Sequence, residues 1–292
     1  MAKVYVKFPK TGLGNLLLIW ARARLLAELN NLSMVTAPWW GVRWGAWLRN
    51  ERKKRMYIGY FKESSWVQRL MIKIYYIGAI IVKDPEVKKI KEEEVTGRKL
   101  FLFNKVSTSN DIFSEIREHR DFIRDEIYKI LSPLLLQKMS SFEVPVIAVH
   151  IRRGDFKIGN QITPGSFFTD CISSIRTVCK EDWPVTVFTD ADHTEIAEIL
   201  QLPQVKLAED KPDILDILLM SKSRVIVLSQ SSTFSYWGAF LSDAIVLKPG
   251  DDWQKNLRSS STNRRFPEIR WKENDTACFE QLTQALRGSI TR

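Results

Sequence analysis

Short β-rich runs alternate with longer helical patterns along almost the whole chain, and that alternation limits the fold more than any other feature of the sequence. Strands separated by helix-length segments belong to α/β folds with a largely parallel sheet, because a parallel pair needs a long crossover. In the first half, Lys3 to Phe8 reads as a strand, Gly12 to Asn15 as a glycine turn, and the residues up to about Asn30 as a helix. A strand follows near Ser33 to Ala37, with apolar runs at Ala79 to Val82 and Leu100 to Phe103. Asn110 to about Met139 carries apolar residues at near-helical spacing, with Ser109 or Asn110 as a cap and Pro133 as a break. Around Ser140 the pattern restarts. Pro145 to Ile151 is a fully buried strand followed at once by the charged turn Arg152 to Asp155. Further β-turn-α units predict helices at Ser166 to Val178, Leu215 to Met220 and Thr233 to Leu241, and strands at Val185 to Thr189, Arg224 to Leu228 and Ala244 to Leu247. Ser259 to Arg265 reads as a loop. Ligands of open sheets of this kind bind beyond the carboxyl ends of the strands, where these polar turns lie.

At 292 residues, 45% of them hydrophobic, the chain suits either two domains, the expectation, or one large α/β unit, and can bury a sizeable core without disulfides or metal. Cys171, Cys179 and Cys278 offer no CxxC spacing, which fits a reducing compartment. The first residues alternate as a strand does and lack a signal peptide's apolar stretch, so the expected location is cytoplasmic. Trp66 to Val82, interrupted by Arg69 and Lys73, falls short of a membrane span and reads as a helix followed by a buried strand, with the break near Gly78. The net charge of +10 is concentrated: between Trp40 and Lys105 there are 16 Lys and Arg against 7 Asp and Glu. Trp39, Trp40, Trp44 and Trp47 interleave there with Arg43 and Arg49 and precede Arg52, Lys53, Lys54 and Arg55. Three readings stand: a solvated basic face, a peripheral contact with the anionic inner leaflet of a membrane, or a groove that stacks sugar rings or bases. Nucleic acid is the weakest, since no nucleic-acid-binding signature accompanies the charge.

Three stretches carry chemistry. His150, Arg152, Arg153, Gly154 and Asp155 lie just past the buried strand. Arginine offers a planar fork of donors with a fixed charge, suited to a pyrophosphate, and Arg152 would be the clamp. The plain alternative is an arginine paired with Asp155 or another carboxylate. Ser229 to Trp237 begins a helix with several hydroxyls; one serves as a cap, while Ser231, Ser232 and Thr233 with free backbone amides suit a phosphate. Phe234, Tyr236 and Trp237 read as core, with one ring available to a base or sugar. Asp190, Asp192 and His193 form the third; a carboxylate there would meet ribose hydroxyls or a guanine edge, and the alternative is helix capping by Asp192. The turn Gly12-Leu13-Gly14-Asn15 is a weak signal alone, because Leu17 stands where a dinucleotide fingerprint has its third glycine.

Together GLGN, HIRRGDF, FTDAD and LSQSSTFSYWGAFLS, in this order, resemble the α-1,2-fucosyltransferases and, more distantly, the α-1,6 and protein O-fucosyltransferases. The resemblance is strong from about Val146 to Leu241, thin at Gly12 to Ala27 and absent between Trp39 and Ser140. It implies an α/β fold of GT-B type, two Rossmann-like domains facing a cleft: an acceptor-side domain over 1–140 and a nucleotide-sugar domain over 141–292, with the last helix able to pack back on the first. It implies inverting, metal-independent transfer of fucose from GDP-fucose, with no other cofactor, to a glycan hydroxyl, lipid-linked acceptors included. Arg152 and Arg153 would hold the GDP phosphates, with Ser231, Ser232, Thr233 and Phe234 beside them. Asp190 or Asp216 would help hold the nucleoside, and Gly14 and Asn15 would line the donor site. Asp155 and His150 are candidates for the base. The alternatives are a similar enzyme using another nucleotide sugar, and a non-catalytic module that binds a glycan or a membrane.

Overall fold

Two parallel sheets carry the chain, one in each of two units, Met1–Gln137 and Lys138–Arg292. The computed structural model describes residues 2–41, 56–107, 110–154 and 162–290.

The first unit runs β1 (Lys3–Val6), α1 (Leu13–Leu29), β2 (Ser33–Thr36), α2 (Trp66–Tyr76), β3 (Ile80–Lys83), a single turn α3 (Glu92–Val95), β4 (Lys99–Phe103) and α4 (Arg120–Ile130). The order β2-β1-β4-β3 makes β1 and β4 the inner strands. Thirteen of the seventeen residues of α1 are buried, so this helix is core on nearly every side. Its Arg22, 5% exposed, is tolerated because Glu115 and the carbonyls of Lys105 and Pro85 take its donors. α5 (Pro133–Met139) leads into the second unit.

Three expectations change here. The helix expected from Asn110 to Met139 is interrupted: it starts at Arg120 after a 3-10 turn, and Leu131 is extended and bridges to Phe61. Pro133 begins a new helix, a position where its missing N–H costs nothing. The strand after Gly78 is not buried, because β3 is an edge strand and Ile80 is 65% exposed. Trp39, counted as part of an interfacial Trp-rich segment, is 1% exposed. Its ring lies 4.1 Å from that of Phe61 and 4.3 Å from that of Phe8, an aromatic core contact. Trp40 is 55% exposed, while Trp44, Trp47, Arg52, Lys53, Lys54 and Arg55 lie outside the described residues.

The second unit continues through β5 (Ile147–Ile151), α6 (Gly165–Cys179), β6 (Val185–Thr189), α7 (Ala197–Leu200), β7 (Val205–Leu207), α8 (Asp213–Met220), β8 (Val225–Val227), α9 (Thr233–Leu241), β9 (Ile245–Pro249), α10 (Ser260–Arg265), β10 (Glu268–Trp271) and α11 (Thr276–Ile290). Its sheet has the order β10-β9-β8-β5-β6-β7. The chain starts in the middle, travels outward through β6 and β7, returns to β8 beside β5, and leaves the other way. Both sheet faces are covered: Ile147, Val149, Val225 and Val227 join one apolar cluster, and the intervening Ala148, His150 and Ile226 are buried as well. The last helix, α11, places Cys278, Leu282 and Leu286 in this unit's own core. Residues Ser260–Arg265, expected as loop, form a short helix capped by Ser259, whose hydroxyl accepts from the Thr262 amide. The three cysteines are free thiols.

Trp39→Ala is expected to cost the first unit about 3–5 kcal/mol, the usual scale for a large aromatic removed from a core. Trp40→Ala, at an exposed position, should cost less than about 0.5 kcal/mol. Denaturant titrations of the two variants check the difference.

Candidate active site

Strand order brings the two chemistry-bearing turns together. β5 and β8 are parallel neighbours, Ile147 to Val149 registering with Val225 to Val227, so their carboxyl ends open at the same edge. They are also the strands between which the chain's course across the sheet reverses, and such a point leaves a crevice for a ligand. Ser229 joins the two turns. Its hydroxyl donates to the His150 carbonyl and accepts from the Arg152 amide, both at 2.8 Å, and it is 1% exposed.

The paired arginines have different tasks. The Arg152 guanidinium meets Asp190 Oδ2 at 2.6 Å, and the two side chains remain 20% and 31% exposed. Asp190 Oδ1 accepts from the Arg153 amide at 2.8 Å. A Cβ added at Gly154 would lie 2.4 Å from Asp190 Oδ2, so only glycine lets the carboxylate approach this turn. Arg153 is buried, and its Nη1 donates to the Thr163 carbonyl at 2.8 Å, which ties this turn to the segment before α6. Thr163 also ties the second turn, its hydroxyl accepting from the Gln230 amide at 2.9 Å.

In that second turn Ser231 has a φ of +58°, a left-handed backbone that costs a non-glycine residue energy and needs support. The support is a relay. The Ser231 amide donates to the Tyr236 hydroxyl at 2.8 Å, and that hydroxyl donates to the Asp252 carboxylate at 2.6 Å. Trp253 Nε1 donates to Ser231 Oγ at 2.7 Å. Burial pushes the Tyr236 phenol and the Asp252 carboxyl up from their ordinary values, so the phenol keeps the proton that it donates to the carboxylate. Ser232 is the N-cap of α9, yet its hydroxyl makes no capping bond, and the first intrahelical bond runs from the Tyr236 amide to its carbonyl. The amides of Thr233, Phe234 and Ser235 precede that bond and have no partner within the helix, the arrangement that favours an anion. The Ser235 hydroxyl is turned inward to the Ser232 carbonyl.

His150, 4% exposed, lies with its ring 5.3 Å from that of Phe234, and its Nδ1 has no hydrogen-bond partner. Burial first, and the charge of Arg152 second, lower its pKa to about 3. It is therefore a neutral packing partner of Phe234 and a poor base. Asp192 takes the capping alternative, forming a capping box with Glu195. Asp216 pairs with Lys211 at 3.1 Å, both side chains largely buried, an ion pair within the second unit. Gly14 and Asn15 lie in the first turn of α1 in the first unit, where Asn15 Nδ2 donates to Thr11 Oγ1 at 3.0 Å. Asp155 lies outside the described residues. Sequence reasoning gave Thr163, Asp252 and Trp253 no part; the turn Gly250 to Trp253 after a buried strand was the signal available for two of them.

A sheet of this order, with an arginine and a helix start at its reversal point, has the form of an anion-binding crevice in an open α/β sheet. A family model described as Glycosyl transferase family 11 matches residues 106–256, just over half of the 292-residue chain, and the chain belongs to that family. It is a glycosyltransferase. No curated protein matches it in sequence. Among solved structures, the NodZ α-1,6-fucosyltransferase soaked with GDP-fucose is similar over 88% of this chain and 98% of its own, at 12% identity and a TM-score of 0.50. Another structure of that fucosyltransferase names Bradyrhizobium as its source. POFUT1 in complex with GDP-fucose covers 83% of this chain and 95% of its own, at 12% identity and a TM-score of 0.51. Likeness at this level shows the fold, the α/β architecture of GT-B type.

Gly154→Ala should displace Asp190 from both arginines and lower transfer about tenfold or more through a weaker hold on donor, read as a raised KM. For His150 the sign follows from a folded-state pKa of about 3 against 6.5 in the unfolded chain. Its contribution to stability is complete above about 6.5 and is lost as pH falls toward about 3. The melting temperature of His150→Phe should therefore fall less than that of the natural protein between about pH 7 and pH 4.5.

Proposed function

We propose that the enzyme transfers L-fucose from GDP-fucose to a glycan hydroxyl, forming an α-1,2 linkage with inversion. The observation that carries this reading is the meeting of Arg152 with the Ser229 to Thr233 turn at the strand-order reversal, joined by the Ser229 hydroxyl. A nucleoside diphosphate fits such a place, with a partly exposed guanidinium on one side and unsatisfied helix-start amides on the other. The fucosyltransferase motifs and fold neighbours solved with GDP-fucose support fucose and guanosine in particular.

In this reading the acceptor hydroxyl attacks C1 of the sugar on the face opposite GDP. The C1–O bond to the β-phosphate breaks, its electron pair stays with the departing phosphate oxygen, and the acceptor proton leaves to solvent or to a base. Charge grows on the leaving phosphate, so donors fixed beside it act most strongly in the transition state. Asp190 keeps the Arg152 guanidinium oriented, and the Tyr236–Asp252 relay keeps the left-handed turn in shape. Positive charge of protein origin supports metal independence.

Incubation with a panel of nucleotide sugars should release GDP from GDP-fucose without acceptor, and linkage analysis of the fucosylated product should give the 1,2 bond; release from a different nucleotide sugar only overturns the donor assignment. Arg152→Ala should keep the fold and lower transfer by about 10²-fold or more, the scale for losing a donor to a developing anion. Arg152→Lys should recover little, since a point charge does not reproduce the fork. Activity should persist in EDTA; loss restored by Mg²⁺ or Mn²⁺ would refute metal independence.

A further inference from the structure

Large apolar side chains left in water mark surfaces that something covers. Fifteen are exposed among the described residues, and eight of them fall between Trp66 and Ile80, on α2 and the start of β3. α2 is opened by a capping box between Ser65 and Gln68. It turns a narrow side inward: Ile72 alone is buried, in a small cluster with Val35 and Leu100, beside Tyr75. At about 100° per residue, Trp66, Leu70, Ile74, Val67, Met71 and Ile77 lie within roughly 140° of arc on the outer side. They range from 47% to 75% exposed. The helix thus carries far more apolar surface than its own packing uses.

Charge identifies the occupant. From Ser64 to Lys83 there is no Asp or Glu, while Arg69, Lys73 and Lys83 are basic. Arg69 is answered by Glu63 at 3.0 Å; Lys73 and Lys83 are exposed. Two-fold pairing of this face with a second copy would bring these lysines together with no carboxylate of the stretch to meet them. An anionic bilayer offers both an apolar depth for the outer arc and phosphates for the lysines. No helix among the described residues is long and apolar enough to cross a membrane, so α2 would lie in the interface plane, with Trp66 at headgroup level. We propose that the outer face of α2 docks the enzyme on an anionic lipid surface. This surface belongs to the first unit and stands independently of the donor assigned above.

The test is flotation of the full chain with vesicles of phosphatidylcholine alone or mixed with phosphatidylglycerol, at low and high salt. The natural protein should float with the mixed vesicles, and less so in high salt. Lys73→Glu should weaken binding about fivefold or more. Leu70→Ser, Met71→Ser and Ile74→Ser together should weaken it about tenfold or more, with the circular dichroism spectrum and donor hydrolysis unchanged. Trp66→Ser in the exposed first turn provides the same reading if the triple variant misfolds. Absence of flotation with mixed vesicles, or flotation indifferent to these substitutions, overturns the proposal. So does a dimer in solution that the triple variant abolishes, which would assign the face to a second copy.

Discussion

A single hydroxyl holds the functional end of the second unit together. Parallel strands end with carbonyls and amides that no neighbour accepts or donates to, and at the reversal between β5 and β8 two loops leave from adjacent ends. Ser229 takes the His150 carbonyl and the Arg152 amide at once, so the arginine turn and the serine turn become one object. Thr163 repeats the device, with its carbonyl on Arg153 and its hydroxyl on the Gln230 amide. The His150 carbonyl is buried, so losing the Ser229 hydroxyl would leave a backbone polar atom short of a partner, at about 1–3 kcal/mol.

Around that frame, charge is distributed by exposure. Arg153 is spent on the backbone, Lys211 on Asp216, and Lys248 and Arg258 on Glu268 inside the sheet's far end. Arg152 keeps its side chain 20% exposed, with the Asp190 carboxylate beside it. An arginine so placed needs little reorganisation when a phosphate arrives, since Asp190 has already fixed its plane. The serine turn reaches the same readiness through strain: the left-handed Ser231 is maintained by a phenol and a buried carboxylate behind it.

The strands and the two motifs were legible because they are local. Val185 to Thr189 and Thr233 to Leu241 are found where periodicity puts them. The interruption at Leu131 was not legible, since an apolar spacing continues across it and only the bridge to Phe61 shows it. Nor was the depth of Trp39, which composition grouped with its basic neighbours while Phe8 and Phe61 close over it. The strands at Val205–Leu207 and Glu268–Trp271 are short and became strands only through pairing with β6 and β9.

By itself, then, the sequence determined the α/β alternation, the buried run of the inner strand at Ile147 to Ile151 and the two turns rich in arginine and serine, because strand patterning and turn chemistry are written in neighbouring residues. Tertiary structure alone decided which of the two arginines is buried against the backbone and which stays partly exposed beside a carboxylate. Arg152 and Arg153 are adjacent and chemically identical, yet Thr163 claims one and Asp190 merely steadies the other. His150 likewise looks like a base in the sequence and is a neutral ring in the fold, since its pKa depends on how much water the surrounding strands and Phe234 exclude.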